Sequence, residues 1–272
     1  MTLASCDSRK TAGENPFFTE WDTPHGVPPF DKILPEHFMP AFERGMSLHE
    51  AEIDAITSNK DEATFENTIL AYDDAGQMLA QTELVFGMLC AAETNDRMQA
   101  LQEQAMPLLA AHRDKIRLDD KLFVRVKEVY DRRAALGLDA EQMRLLQKTY
   151  DSFVRAGALL DAEQKARLKE INGQLSLTAV KFGNNILAEN NNFVLELKSD
   201  EIDGLPAGIP DAAREKARQM GKGDKWVFTL HKPSLIPLLT YSTKRDLREK
   251  IYKAYLNRCN NGDEYDNKQL IN

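Results

Sequence analysis

Cysteine, glycine and long apolar runs are all scarce in this sequence of 272 residues. The three cysteines, Cys6, Cys90 and Cys259, stand far apart and form no C-x-x-C pair. This argues against a disulfide framework or a cysteine-rich zinc cluster, and predicts free thiols at Cys90 and Cys259. The longest apolar stretch, residues 84–92, has about half the length of a membrane span, so no transmembrane segment is predicted.

Positive charge is also in deficit. Lysine and arginine number 35 against 43 aspartates and glutamates, a net charge of −8. A dedicated nucleic-acid-binding protein would normally carry a basic footprint, so no nucleic-acid partner is predicted. Hydrophobic residues make up 42% and charged residues 29%, the composition of a globular protein with its own core.

Helix-start signals dominate the chain up to residue 190. Thr64 opens an apolar stripe with helical spacing that extends to Phe86, and Asp96 and Asp119 are predicted to open two further helices. Asp139 and Asp161 each precede a glutamine by three residues, the spacing of a capping box, and the second of these starts a long helix to about residue 189.

The pattern changes at Asn190. Residues 191–198 and 225–231 alternate apolar and polar side chains, which predicts a small two-stranded element. The fold is therefore predicted to be mainly α. We predict three regions along the chain. They are a disordered leader or tether over 1–20, a helical domain over 21–190, and a mixed β-ribbon and helical region over 191–272 that looks truncated.

Catalytic motifs are missing from the sequence. The nearest approach to the zinc motif H-E-x-x-H begins at His49 and Glu50, but Ile53 stands where the second histidine should be. We therefore interpret His49 and Glu50 as ordinary surface residues of a helix. No G-x-S-x-G elbow or Walker loop is present either. No catalytic or metal-binding residue is predicted, and substrate-binding residues stay unknown.

Cys6 closes the tetrapeptide Leu-Ala-Ser-Cys, which looks like a bacterial lipobox, and a polar stretch follows it. A complete lipoprotein signal also needs basic and apolar regions upstream, and only two residues precede this motif. Cys6 is thus a candidate lipidation site. It predicts a location in the cell envelope or periplasm, and a chance match would leave a cytoplasmic protein as the alternative.

Several segments, in order, resemble the N-terminal part of the M3 zinc oligopeptidases. They are Asn15-Pro-Phe-Phe18, Pro24-His-Gly-Val-Pro-Pro-Phe-Asp31, Pro35-Glu-His-Phe-Met-Pro-Ala-Phe-Glu43, Phe65-Glu-Asn-Thr-Ile69 and Thr243-Lys-Arg-Asp-Leu-Arg-Glu-Lys250. The resemblance covers nearly the whole chain from Asn15. The first segment and the region around Glu52 favour the peptidyl-dipeptidase branch over the oligopeptidase A branch.

The resemblance implies a helical, two-lobed, clam-like enzyme with a deep channel, in which zinc held by H-E-x-x-H and a further glutamate activates water. Peptidyl-dipeptidases release dipeptides from the C-termini of short peptides. All of those motifs lie downstream in the family, so no site residue is carried over. This chain would be a channel wall and size filter, inactive and without zinc until joined to the missing C-terminal catalytic half.

Two other interpretations stay open at this point. The chain could be a self-sufficient helical binding or scaffold protein, or a fragment of an oligopeptidase A-type endopeptidase. If a catalytic half is missing, apolar side chains should be exposed near the end of the chain. We expect this of Ile251, Tyr252, Tyr255 and Leu256, with fraying after Asn260.

Overall fold

The computed structural model describes residues 15–271, which divide into two compact units between Leu177 and Thr178. Cys6, the candidate lipidation site, lies outside the described residues. The mainly helical architecture predicted from the sequence is confirmed. Within residues 15–271 no helix combines the length and apolar character needed to cross a membrane.

Residues 15–177 of the first unit form helices and contain no strand. Its first long helix is α1 (Phe38–Ser58), and a π-helical segment (Phe65–Leu70) continues directly into the short α2 (Ala71–Asp74). The further helices are α3 (Gln77–Ala92), α4 (Asp96–Arg117), α5 (Asp120–Asp131), α6 (Ala140–Arg155) and α7 (Ala162–Asn192), which extends past the division into the second unit. Short 3-10 turns lie at Pro16–Phe18, Pro24–Gly26, Pro35–His37 and Arg133–Ala135.

The predicted capping boxes are present. The side chain of Asp139 accepts from the amide of Gln142 at 2.9 Å, while the Gln142 side chain accepts from the amide of Asp139. Asp161 and Gln164 repeat this exchange at the start of α7. Such reciprocal bonds satisfy amides that the first helical turn leaves unpaired, which is why the signal is readable from four residues.

One expectation about the middle of this unit was wrong. The stripe from Thr64 to Phe86 is not one helix, because the chain turns at Ala75 and Gly76, where Gly76 has a φ of +77°. The amide of Gly76 donates to Glu52 at 2.7 Å, so a bond from α1 holds the turn. Helix α4 begins at Asp96, as predicted, and Asn95 caps it, because its side-chain oxygen accepts from two amides in the first turn.

Apolar side chains of the first unit form two clusters. One lies around α5 and α6 and has Leu122, Val126, Val129, Leu146 and Phe153 at its centre. The other lies where α1 contacts α3 and α4, and centres on Phe38, Phe42, Phe86 and Leu109. Phe86 meets Phe42 edge-on with ring centroids 5.3 Å apart, a favoured aromatic geometry. These clusters hold α1 and α4 side by side, which positions the polar residues described below.

The second unit contains the predicted two-stranded element. Strands β1 (Leu195–Leu197) and β2 (Trp226–Phe228) pair antiparallel, with Leu195 opposite Phe228 and Leu197 opposite Trp226. Helices α8 (Gly208–Gln219), α9 (Lys232–Tyr241), α10 (Arg245–Leu256) and α11 (Lys268–Ile271) complete the unit. Its core contains Leu195, Leu197, Phe228, Leu230, Leu235, Leu238 and Ile251.

The end of the chain differs in part from the expectation. Tyr252 and Leu256 are exposed as predicted, but Ile251 is fully buried in the core of the second unit. Asn267 is only 2% exposed, and its amide donates to the carbonyl oxygen of Cys259 at 2.8 Å. The segment after Asn260 is therefore anchored at Asn267 by contacts that its composition does not reveal.

Candidate functional site

A cluster of polar side chains joins α1 to α4 in the first unit. Nδ1 of His49 lies 3.0 Å from Nε2 of His112, with the two rings inclined at 59°. His112 is buried, and its Nδ1 faces Oε1 of Glu50 at 3.5 Å. Oε2 of the same carboxylate accepts from Lys115 at 2.8 Å. One carboxylate of α1 thus contacts two residues of α4.

The charge of Glu50 favours one pair of tautomers, although no hydrogen bond joins this carboxylate to Nδ1 of His112. The Glu50 carboxylate favours a proton on Nδ1 of His112, which leaves Nε2 of that ring to accept from Nδ1–H of His49. Both imidazoles are then neutral. Burial lowers the pKa of His49, and the neighbouring His112 lowers it further. Burial also lowers the pKa of His112, although Glu50 opposes this effect.

Our interpretation of His49 and Glu50 as ordinary surface residues was wrong. Both are partly buried and bonded to α4. Their partner His112 lies 63 residues away in the sequence, so no local spacing could indicate the pair. The position that H-E-x-x-H would give to a second histidine is held by Ile53, which is 3% exposed in the core.

The arrangement does not suit a metal ion. Across residues 15–271, no three or more His, Cys, Asp or Glu side chains are grouped so that they could hold one. Nδ1 of His49 and Nε2 of His112 face each other, which leaves neither of these nitrogens free for a ligand. The cluster consists of an ion pair between Lys115 and Glu50, a 3.5 Å contact from Glu50 to Nδ1 of His112, and the bond between His112 and His49.

The chain is clearly similar to known peptidases. It is 36% identical over 258 residues to Dipeptidyl carboxypeptidase of Escherichia coli (strain K12), a match that covers 94% of this chain and 38% of that protein. It is 25% identical over 256 residues to Oligopeptidase A of the same organism, covering 92% of this chain and 37% of that protein. No protein-family profile matches the chain.

Its homologues, dipeptidyl carboxypeptidase and oligopeptidase A, are peptidases of the M3 type. A third relative, the Organellar oligopeptidase A of Arabidopsis thaliana, is 25% identical over 279 residues, or 99% of this chain and 34% of the relative. The chain therefore spans a little over a third of the length of the curated relatives that it matches.

Cys90 and Cys259, the two cysteines among residues 15–271, are free thiols, as predicted. Burial raises the pKa of Cys90. Burial and the neighbouring Glu189 raise the pKa of Cys259 to about 11. A thiol with so high a pKa stays protonated at neutral pH, and the thiolate is the reactive form. Cys259 is therefore unsuited to a nucleophilic role.

Proposed function

We propose that this chain is part of a zinc metallopeptidase that removes dipeptides from the C-terminal end of short peptides. The observation that carries the proposal is its 36% identity, over 94% of the chain, to a protein named Dipeptidyl carboxypeptidase. The lower identity of 25% to Oligopeptidase A supports the same choice over an endopeptidase. Identity spread over nearly the whole chain supports a shared fold.

The zinc of such an enzyme does not fit the residues described here. No suitable ligand group is present within residues 15–271, and the full sequence has no H-E-x-x-H. We therefore propose that the metal ligands belong to another part of the protein, and we derive no chemical step from this chain. Its own role would be structural, as a helical wall of the peptide channel that limits the size of the substrate.

The location of the protein is part of the proposal. One relative, from Arabidopsis thaliana, is named Probable cytosolic oligopeptidase A and is 24% identical to this chain. We take a cytoplasmic location as the first hypothesis and a lipid anchor at Cys6 as the competing one. Cell fractionation of the wild type and of Cys6→Ser separates them, since an anchored protein would leave the membrane fraction when the cysteine is replaced.

The activity test compares two proteins: residues 1–272, and the product of the complete reading frame that contains them. The substrate is an N-acetylated tetrapeptide, offered with a free C-terminus and as the C-terminal amide. We expect the longer product to release a dipeptide from the free form only, and a chelator to stop it. Residues 1–272 should release nothing.

Each other result favours a named alternative. Cleavage of long amidated peptides at internal bonds would favour the oligopeptidase A type. A reading frame that ends at Asn272, with peptide binding but no hydrolysis, would favour a scaffold protein. Chelator-sensitive cleavage by residues 1–272 would overturn the assignment of the metal ligands to another part of the protein.

A further inference from the structure

A cleft in the second unit lies between α9 and the first turns of α10. It encloses about 310 Å³ and is lined by Leu239, Arg245, Arg248, Glu249 and Tyr252. Two guanidinium groups and a phenol thus line one small opening. Tyr252 is 50% exposed, so its hydroxyl is accessible to a ligand.

One of the two guanidinium groups is held in place. Nη1 of Arg248 donates to the carbonyl oxygen of Ser242, a residue that is 3% exposed. This bond occupies one of the five N–H groups of the guanidinium and restricts its motion, while the others stay available. Arg245 is exposed, and its charge interacts with Glu249, four residues along α10.

The local charge favours an anion in spite of the acidic chain. Residues 244–258 contain six basic and two acidic side chains, whereas the whole chain has a net charge of −8. Glu249 is the acidic residue of the cleft, and it accepts from Lys253 at 2.5 Å. Lys253, which does not line the cleft, is the main partner of this carboxylate, and Arg245 attracts it more weakly. Arg245 and Arg248 are the cationic groups of the cleft that a ligand would meet.

We propose that this cleft binds the carboxylate of a peptide. The planar fork of arginine matches the two oxygens of a carboxylate, and such charge-assisted bonds are about twice as strong as neutral ones. Tyr252 adds a hydroxyl donor, and Leu239 gives an apolar contact for the adjoining side chain. The inference rests on the proposed function in one respect: it takes the molecule that carries the carboxylate to be a peptide.

The test measures binding to residues 1–272 by titration calorimetry at low salt, where no catalysis is needed. The probes are acetyl-Ala-Ala-Ala with a free C-terminus, its C-terminal amide, acetyl-Ala-Glu-Ala amide, and inorganic phosphate. We expect binding of the first probe and none of the neutral amide. If acetyl-Ala-Glu-Ala amide also binds, the cleft recognises the carboxylates of acidic side chains as well as that of a peptide C-terminus, because both ligands present the same group.

Two variants and one control locate the site. Arg245→Gln should weaken binding roughly tenfold, because it removes one of the two guanidinium groups that line the cleft. Arg248→Lys keeps the charge but loses the fork, and should weaken binding less. The control is Arg218→Gln on α8, whose side chain pairs with Glu215 outside the cleft, and it should bind like the wild type.

Equal binding of the free peptide and the neutral amide would overturn the inference, as would binding of phosphate alone. An equal loss in Arg245→Gln and Arg218→Gln would show general charge attraction and would also overturn it. Failure of the proposed function would be a separate result. If the longer product had no peptidase activity while residues 1–272 still bound the carboxylate, the proposed function would be wrong and the binding site would stand.

Discussion

His49 and His112 share one hydrogen bond between α1 and α4, with 3.0 Å between Nδ1 of the first and Nε2 of the second. The bond exists only while at least one of these nitrogens lacks a proton. If both rings were protonated, two N–H groups would face each other in a partly buried site. The pair therefore couples the packing of α1 on α4 to proton concentration.

The first prediction is that the first unit loses stability as the pH falls below about 6.5, the ordinary histidine value. Both histidines have a lowered pKa in the folded state, mainly through burial. The unfolded chain thus binds more protons, and stability is fully present above the unfolded value and is lost as the pH falls. Glu50 and Glu52 oppose the loss, while Lys115 and Arg113 add to it.

Urea unfolding at pH 7.5 and 5.5 measures this loss in the first unit. Trp21 and Trp226 are the two tryptophans, one in each unit. The Trp226→Phe background therefore leaves Trp21 as the reporter of the first unit. His112→Gln should flatten the pH dependence, and His25→Asn, a change at an exposed histidine, should leave it unaltered. An unchanged midpoint between the two pH values in the wild type would contradict the prediction.

The second prediction concerns the turn before α3. Gly76→Ala should destabilise the first unit by about 1–3 kcal/mol, because φ is +77° and the new Cβ would lie 3.0 Å from Nδ1 of His49. The matched control is Gly87→Ala within α3, where a Cβ meets no atom within 4 Å. That change should stabilise the unit by about 0.5–1 kcal/mol. Equal effects of the two substitutions would refute the prediction.

Structural features that depend on contacts within a few residues could be predicted from the sequence, whereas features that depend on distant contacts could not. The caps at Asp139 and Asp161 depend on bonds within four residues, so their spacing was enough to predict them. Strand β1 was also predicted, because its side chains alternate between buried and exposed positions. Strand β2 was predicted too, but it lies in a run that is buried from residue 227 to 230, so alternating burial does not explain it. The break at Gly76 was missed because it depends on Glu52, 24 residues earlier. The His49–His112 pair was missed for the same reason, since its separation carries no periodic signal.

The third prediction concerns a buried arginine. Arg125 is 9% exposed and donates to the carbonyl oxygens of Asn59 and Asp61 and to the side chain of Asn67. Asn67 Oδ1 also accepts from the amide of Thr64 at the start of the π-helical segment. Arg125→Lys cannot reproduce this fork, so we expect a loss of about 2–3 kcal/mol.

Arg144→Lys is the control for that experiment, because Arg144 is an exposed residue of α6. Thermal unfolding of both variants in the Trp226→Phe background gives the comparison. A stability of Arg125→Lys equal to that of the control would mean that the fork contributes nothing to the fold.

The last prediction concerns Asn267, the anchor near the end of the chain. Its amide donates to Cys259, its Nδ2 donates to the carbonyl oxygen of Phe182, and its Oδ1 accepts from Asn185 at 2.7 Å. Hydrogen exchange should therefore be slow at the amide of Asn267 and fast at the exposed Asp263 and Glu264.

Asn267→Ala leaves buried polar groups on α7 without partners, which should lower the free energy of unfolding by about 1–3 kcal/mol and make the amides of α11 exchange fast. Asn260→Ala, at an exposed position in the same segment, should change neither. If the amide of Asn267 exchanges as fast as those of Asp263 and Glu264 in the wild type, the segment frays from Asn260 onward, as its sequence predicted, and the anchor has no effect on stability.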